Sequence, residues 1–219
     1  MQKVVVPVLL AIAAVLFVRA PFAIDAAPYE STMGLVQKIF YFHVPAAMTA
    51  MASAFVCGIA SAFYLWGRRP GADRVALAAA ELVVVFGLIV LVTGPLWARK
   101  AWGVWWQWEA RLTITLVMWM VFVAYLLLRR FGGPGSEIMS AAVGLFGMML
   151  VPFIYWSVNV WRTLHPTTQV TRTLPPEMAA PFRLGILAFF TFYVALLLVR
   201  VRLERSRAAL DEAYVALED

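Results

Sequence analysis

Histidine is the side chain best suited to hold a transition metal at neutral pH, and this chain has two, His43 in Tyr41-Phe42-His43-Val44-Pro45 and His165 in Leu164-His165-Pro166. Imidazole ligates iron, copper or zinc. Taken singly, each histidine also reads as an interfacial residue hydrogen-bonded to backbone. Two ligands are too few for a structural zinc, which takes four. Two do suit the axial positions of a haem, whose other four ligands are its own.

The second chemical feature is the run Trp102-Gly103-Val104-Trp105-Trp106-Gln107-Trp108-Glu109-Ala110-Arg111-Leu112-Thr113. Wound as a helix at about 100° per residue, it places Trp102, Trp105, Trp106 and Trp108 within an arc of roughly 160°, with Glu109 inside that arc and Arg111 opposite. Such a face is a flat aromatic platform. A planar, apolar macrocycle is what tryptophan faces hold by burial and stacking.

Composition decides what must position these residues. Of 219 residues, 63% are hydrophobic and 14% charged, against about 45–50% and 25% in soluble domains. A soluble fold and a disordered chain are excluded, and the single cysteine, Cys57, excludes a disulfide scaffold. Six apolar stretches, 4–18, 44–66, 75–97, 112–128, 138–158 and 182–199, approach the roughly 20 residues that a membrane span needs. Lipid leaves no partner for free backbone groups, so these stretches predict helices. The expected architecture is an all-α polytopic membrane protein, one six-helix domain over 1–219 with a charged tail from 200. The first stretch follows Lys3 and also has the form of a signal peptide, with small residues near Ala26 and Ala27. The net charge of +6 reads as membrane topology rather than nucleic-acid binding, since the cations flank apolar runs.

Parity then fixes which loops share a face. The segments after the first, third and fifth helices, 19–43, 98–111 and 159–181, lie on one side whichever way the protein points, and they carry both histidines and the tryptophan run. On the other side are short basic turns with Gly and Pro. With Lys3 and the tail, that side holds ten cations (Lys3, Arg68, Arg69, Arg74, Arg129, Arg130, Arg200, Arg202, Arg205, Arg207) against eight. The excess of cations places both termini in the cytoplasm and the chemical face outside. Tryptophan gathers at interfaces for anchoring alone, but an anchoring belt decorates both sides. Here Trp97, Trp102, Trp105, Trp106, Trp108, Trp156 and Trp161 fall near one face, Trp66 at the other and Trp119 mid-span. Haem also carries two carboxylates, and Arg99, Lys100, Arg111, Arg162, Arg172 and Arg183 share that face as candidate partners.

Other features read as structural. Glu81 lies near the cytoplasmic end of the third helix, within reach of the interface or a neighbouring helix. Cys57 is mid-span packing. Thr93-Gly94-Pro95 is expected to bend or end the third helix. The tail from Arg200 reads as a solvated helical extension, with Glu204 three residues before Arg207.

The residues from Trp102 to Thr113 resemble the pattern Trp-Gly-x-Trp-Trp-x-Trp-Asp-x-Arg-Leu-Thr of the heme exporter protein C family (CcmC) of cytochrome c maturation, with Glu109 where the family has aspartate. The settings of His43 and His165 are similar to those of that family's two outer histidines, and six spans with both termini inside agree over nearly the whole chain. The resemblance implies a protein of the bacterial inner membrane that holds haem b as transient cargo at the outer leaflet. His43 and His165 are then the axial ligands, with Trp102, Trp105, Trp106, Trp108, Glu109 and Arg111 in the binding segment. It further implies delivery to a membrane-tethered haem chaperone (CcmE), in an ABC-type complex with the ATPase CcmA and the membrane subunits CcmB and CcmD. The chain itself has no Gly-x-x-x-x-Gly-Lys-Ser/Thr loop and no Cys-x-x-Cys-His, so neither ATP hydrolysis nor c-type attachment is expected of it, and it reads as a handling subunit rather than an enzyme. Three other readings stay open on the residues: a CcsA-like synthase component with the same tryptophan-rich segment, a b-type electron carrier, and a transporter whose tryptophans cage an organic cation.

Overall fold

The computed structural model describes residues 2–31 and 33–218, without the side chains of residues 2, 3 and 218. Lys3, one of the cations expected on the side of the termini, therefore has its side chain outside the description, as do the two ends of the expected domain, Met1 and Asp219. Six α-helices follow in order: α1 (Gln2–Ala26), α2 (Phe40–Gly67), α3 (Pro70–Ala101), α4 (Ala110–Phe131), α5 (Ser136–Val160) and α6 (Pro176–Glu218). Short 3₁₀ turns lie at Leu35–Ile39 and Thr168–Thr171. All six helices are long and apolar enough to cross a membrane.

Each helix overruns the apolar stretch that announces it. α1 continues through Pro21 to Ala26, and α6 runs for 43 residues, about 64 Å at 1.5 Å per residue and about twice the hydrocarbon thickness. Apolar residues mark only the part of a helix inside lipid. The Leu, Ala, Glu and Arg residues after Arg200 are good helix formers and carry α6 on into water. α3 likewise does not end or break at Thr93-Gly94-Pro95 but reaches Ala101. A proline inside a span costs one backbone bond, which neighbouring groups in a bundle make good.

Between α2 and α3 the connection is only Arg68 and Arg69. Arg68 takes a left-handed conformation, φ 50°, with its N–H on the Tyr64 carbonyl at 2.7 Å, and Pro70 opens α3 where no backbone donor is needed. The two helices are thus held as an antiparallel pair, and α2 also packs on α5 and α6, while α1 leans on α6 and α4 on α5 and α3. Lipid tails are as apolar as leucine, so helices associate by close packing where a side chain is missing. A Cβ on Gly58 of α2 would lie 2.4 Å from Met148 Cβ of α5, and one on Gly185 of α6 would lie 2.6 Å from the Tyr41 carbonyl oxygen of α2.

Three acids at the end of the bundle that carries the termini are paired with arginine. Asp73, in the first turn of α3, receives two bonds of 2.8 Å from Arg129 in the last turn of α4, each charge sitting at the helix end its sign favours. Glu81 is bound by the Arg200 guanidinium of α6, which also donates to Glu204 at 2.9 Å. Of the two settings open to Glu81, the neighbouring helix is the one realised. Glu204 serves Arg200, one turn before it, rather than Arg207. Cys57 is wholly buried among the core side chains of α2 to α5.

Gly58→Val should force α2 and α5 apart. Overpacking of this kind costs about 1–3 kcal/mol, seen as a lower thermal unfolding midpoint of the detergent-solubilised protein. Gly71→Ala, whose Cβ meets nothing within 4 Å, should leave the midpoint no lower than that of wild type.

Candidate functional site

At the end of the bundle away from the termini, the ends of α2, α3, α4 and α5 and the segments 27–39 and 161–175 enclose a cavity of about 500 Å³, within the usual range for small-molecule sites. His43, His165, Trp97, Trp102, Trp106 and Arg111 all line it, among mostly apolar neighbours. Residues as far apart in sequence as His43 and His165 therefore share one wall-to-wall space.

His43 stands in the first turn of α2 and reaches across to α3, where its Nδ1 lies 2.8 Å from Thr93 Oγ1. The Thr93 hydroxyl in turn donates to the Ile89 carbonyl at 2.7 Å. His165 lies in the segment between α5 and α6, its backbone N–H donating to Thr163 Oγ1 at 3.0 Å. Its Nδ1 lies 2.9 Å from the Pro166 carbonyl. A carbonyl can only accept, so Nδ1 carries the proton and Nε2 keeps its lone pair. Burial, joined by the Arg111 charge, drives the His165 pKa from 6.5 down to about 3, against the opposing bond to Pro166. The ring is neutral at physiological pH, the form that binds a metal. Among the described residues no His, Cys, Asp and Glu group of three or more gathers to hold a bare metal ion.

The tryptophans do not form the helical platform. α3 ends at Ala101, with the Trp102 N–H on the Ala98 carbonyl at 2.7 Å, and Gly103 turns the chain at φ 78°. The Arg99 guanidinium donates to the Gly103 carbonyl and fixes this turn. Residues 102–109 are consequently irregular, and their rings divide. Trp102 and Trp106 line the cavity, Trp102 edge-on to His165 with centroids 6.4 Å apart and to Trp97 at 4.9 Å. Trp105 and Trp108 face outward, 57% and 76% exposed, and Arg99 lies over Trp105 at 6.0 Å. A glycine directly after a last turn containing Arg99 and Lys100 is a helix-stop signal, and it was present in the sequence.

Glu109 and Arg111 are separated by the same turn, though not as a helical wheel arranges them. Glu109 caps the start of α4 and its Oε2 accepts the Leu164 N–H at 2.9 Å, tying the Trp segment to the residue before His165. Arg111, the residue expected to face away, lines the cavity. The ion pairs among the described residues are Lys38–Asp25, Arg129–Asp73, Arg200–Glu81 and Arg200–Glu204, which leaves the Arg111 guanidinium without one. Trp106 Nε1 is buried and also lacks a hydrogen-bond partner. Two donors thus remain open at a cavity lined by both histidines. Of the six cations named from the sequence, Arg111 alone borders this cavity; Arg172 and Arg183 border a separate one beside the start of α6.

The family described as Heme exporter protein C matches residues 1–215. The chain belongs to that family. It is 34% identical to the Heme exporter protein C of Escherichia coli strain K12 over 183 residues, 80% of this chain and 73% of that one. The corresponding protein of Bradyrhizobium diazoefficiens is 34% identical over 206 residues, 91% and 78% of the two chains, and that of Paracoccus denitrificans 32% identical over 190 residues, 84% and 79%.

For this heme exporter protein C family member, sequence reasoning missed the side chains that complete the cavity. Met33, Met48, Met51 and Met178 line it from the 27–39 segment, α2 and α6. Methionine adapts its shape to irregular gaps, but a methionine in an apolar run carries no periodic signal. Gln37, 5% exposed and bordering the cavity, likewise gave none.

Replacing Glu109 by Ala should release the Leu164 N–H. A bond to a charged acceptor contributes about 1.5–3 kcal/mol, so amide exchange at Leu164 should accelerate roughly ten- to hundredfold, with Glu109→Gln keeping most of the protection.

Proposed function

We propose that this chain holds haem in the cavity between His43 and His165 and hands it to a haem chaperone during c-type cytochrome maturation. The observation that carries the reading is that both histidines of the chain, three tryptophans and an unpaired arginine line one largely apolar cavity of about 500 Å³. Each element answers a part of haem: the apolar wall and the Trp102 and Trp106 rings the macrocycle, the imidazoles the iron, and Arg111 with Trp106 Nε1 the two carboxylates. The related proteins named Heme exporter protein C point to the same cargo.

The cavity side is the periplasmic face of the inner membrane, a reading supported by the cation excess on the side of the termini. Haem b is cargo there, not a resident group. CcmE is the receiving chaperone and CcmA, CcmB and CcmD complete the exporter, a division of labour that fits a chain without a phosphate-binding loop. The handling is non-enzymatic. His43 and His165 bind, Trp102 and Trp106 enclose, Arg111 orients, and the outward Trp105 and Trp108 form the surface the chaperone meets.

Haem titration of the purified protein tests this, read by visible absorption. Wild type should give a six-coordinate spectrum lost in His43→Ala and in His165→Ala; a wild-type spectrum in either variant would refute the shared site. Arg111→Leu should weaken haem binding roughly ten- to hundredfold without changing the coordination, the worth of a charge-assisted bond. Trp105→Ala with Trp108→Ala should leave the spectrum intact and abolish transfer to the chaperone, whereas Trp102→Ala with Trp106→Ala should lower haem occupancy.

A further inference from the structure

Thr93 had no chemical role in the sequence, where it is the first residue of a triplet expected to bend or end the helix, yet among the described residues it is the only side chain bonded to the His43 ring. We infer that Thr93 is a positioning residue that fixes the orientation and tautomer of His43, so that Nε2 is the nitrogen left open for haem iron. The inference rests on His43 being a ligand, and it concerns which nitrogen and what holds it.

The argument is an inventory of protons. A threonine hydroxyl has one hydrogen to give and lone pairs to receive. The Thr93 hydrogen goes to the Ile89 carbonyl, one turn earlier in α3, at 2.7 Å. At the second contact, 2.8 Å from His43 Nδ1, the oxygen is then an acceptor, and Nδ1 must carry the ring proton. A neutral imidazole has one N–H, so Nε2 is bare. The reverse arrangement, with Thr93 donating to Nδ1, would put an N–H on Nε2 and give up the bond to Ile89.

Gly94 supplies the matching shape. A Cβ there would come within 3.3 Å of His43 Cε1, tighter than ordinary contact. The hydroxyl and the absent side chain beside it together form a seat for the edge of the ring on α3, and Gly94 and His43 both border the cavity. His165 reaches the same tautomer by a different route, through the Pro166 carbonyl. Both rings thus present the same nitrogen, each held from behind. Partners of this kind make a ligand more basic, and their loss commonly weakens metal binding 10- to 100-fold.

The chain's two histidines make the test direct. The full-length, haem-free protein, labelled with ¹⁵N only in histidine, gives two imidazole patterns, assigned with His43→Ala. Wild type and Thr93→Ser should show His43 protonated at Nδ1, and Thr93→Val should lose that pattern. After loading with haem, Thr93→Val should bind about tenfold more weakly and show a reduction potential raised from that of wild type, because a less basic imidazole favours ferric iron less. Thr93→Ser should restore both. An Nε2-protonated His43 in wild type, or a Thr93→Val protein with unchanged tautomer and potential, would overturn the inference. A six-coordinate spectrum surviving in His43→Ala would instead overturn the ligand reading, and it leaves the tautomer result in haem-free protein standing.

Discussion

No polar group can enter hydrocarbon without a partner, and the rest of this structure follows from that rule. It forces the chain into helices and pairs Asp73 with Arg129 and Glu81 with Arg200 where α3 nears its start. It also gives meaning to the groups that escape pairing. Arg111 and the Trp106 indole nitrogen are left open at one cavity. Open donors at a largely apolar cavity suit an anionic, largely apolar occupant.

The cavity holds its contents by groups from different elements, and this suits a carrier that must also let go. His43 sits on the rigid pair of α2 and α3, braced by Thr93. His165 sits on an irregular segment, held by the Thr163 side chain, the Pro166 carbonyl and the reach of Glu109 to Leu164. One histidine belongs to the helical frame and the other to an irregular segment. Motion of the second can open the site without disturbing the first. Segments of low local stability are where such functional motion is drawn from. Glu109 matters here because it couples the exposed tryptophan segment, where a partner would touch, to the segment carrying His165.

Much of this was legible in the sequence because parity is a topological fact. Six spans are enough to bring His43, His165 and the tryptophan run to one side, whatever the helix bounds. The extent of the helices was not legible, since hydropathy marks lipid contact and α6 outruns it by the length of its charged end. The tryptophan platform failed for a local reason: α3 ends at Ala101, and Gly103 with the Arg99 bond turns the chain just after Trp102, so a wheel drawn through the break misplaced Arg111. Thr93 and the methionines were invisible because their roles arise only from tertiary neighbours. The reach of Glu109 to the Leu164 N–H is likewise a tertiary contact with no signal in the sequence.

The proposed site requires that both histidines of this chain bind one iron. Pulsed electron paramagnetic resonance of the ferric, haem-loaded, full-length protein counts such ligands when ¹⁵N is confined to histidine. Two strongly coupled histidine nitrogens in a low-spin signal, reduced to one in His43→Ala and in His165→Ala, is the predicted result. A signal with one coupled histidine nitrogen or none in the wild type would contradict it.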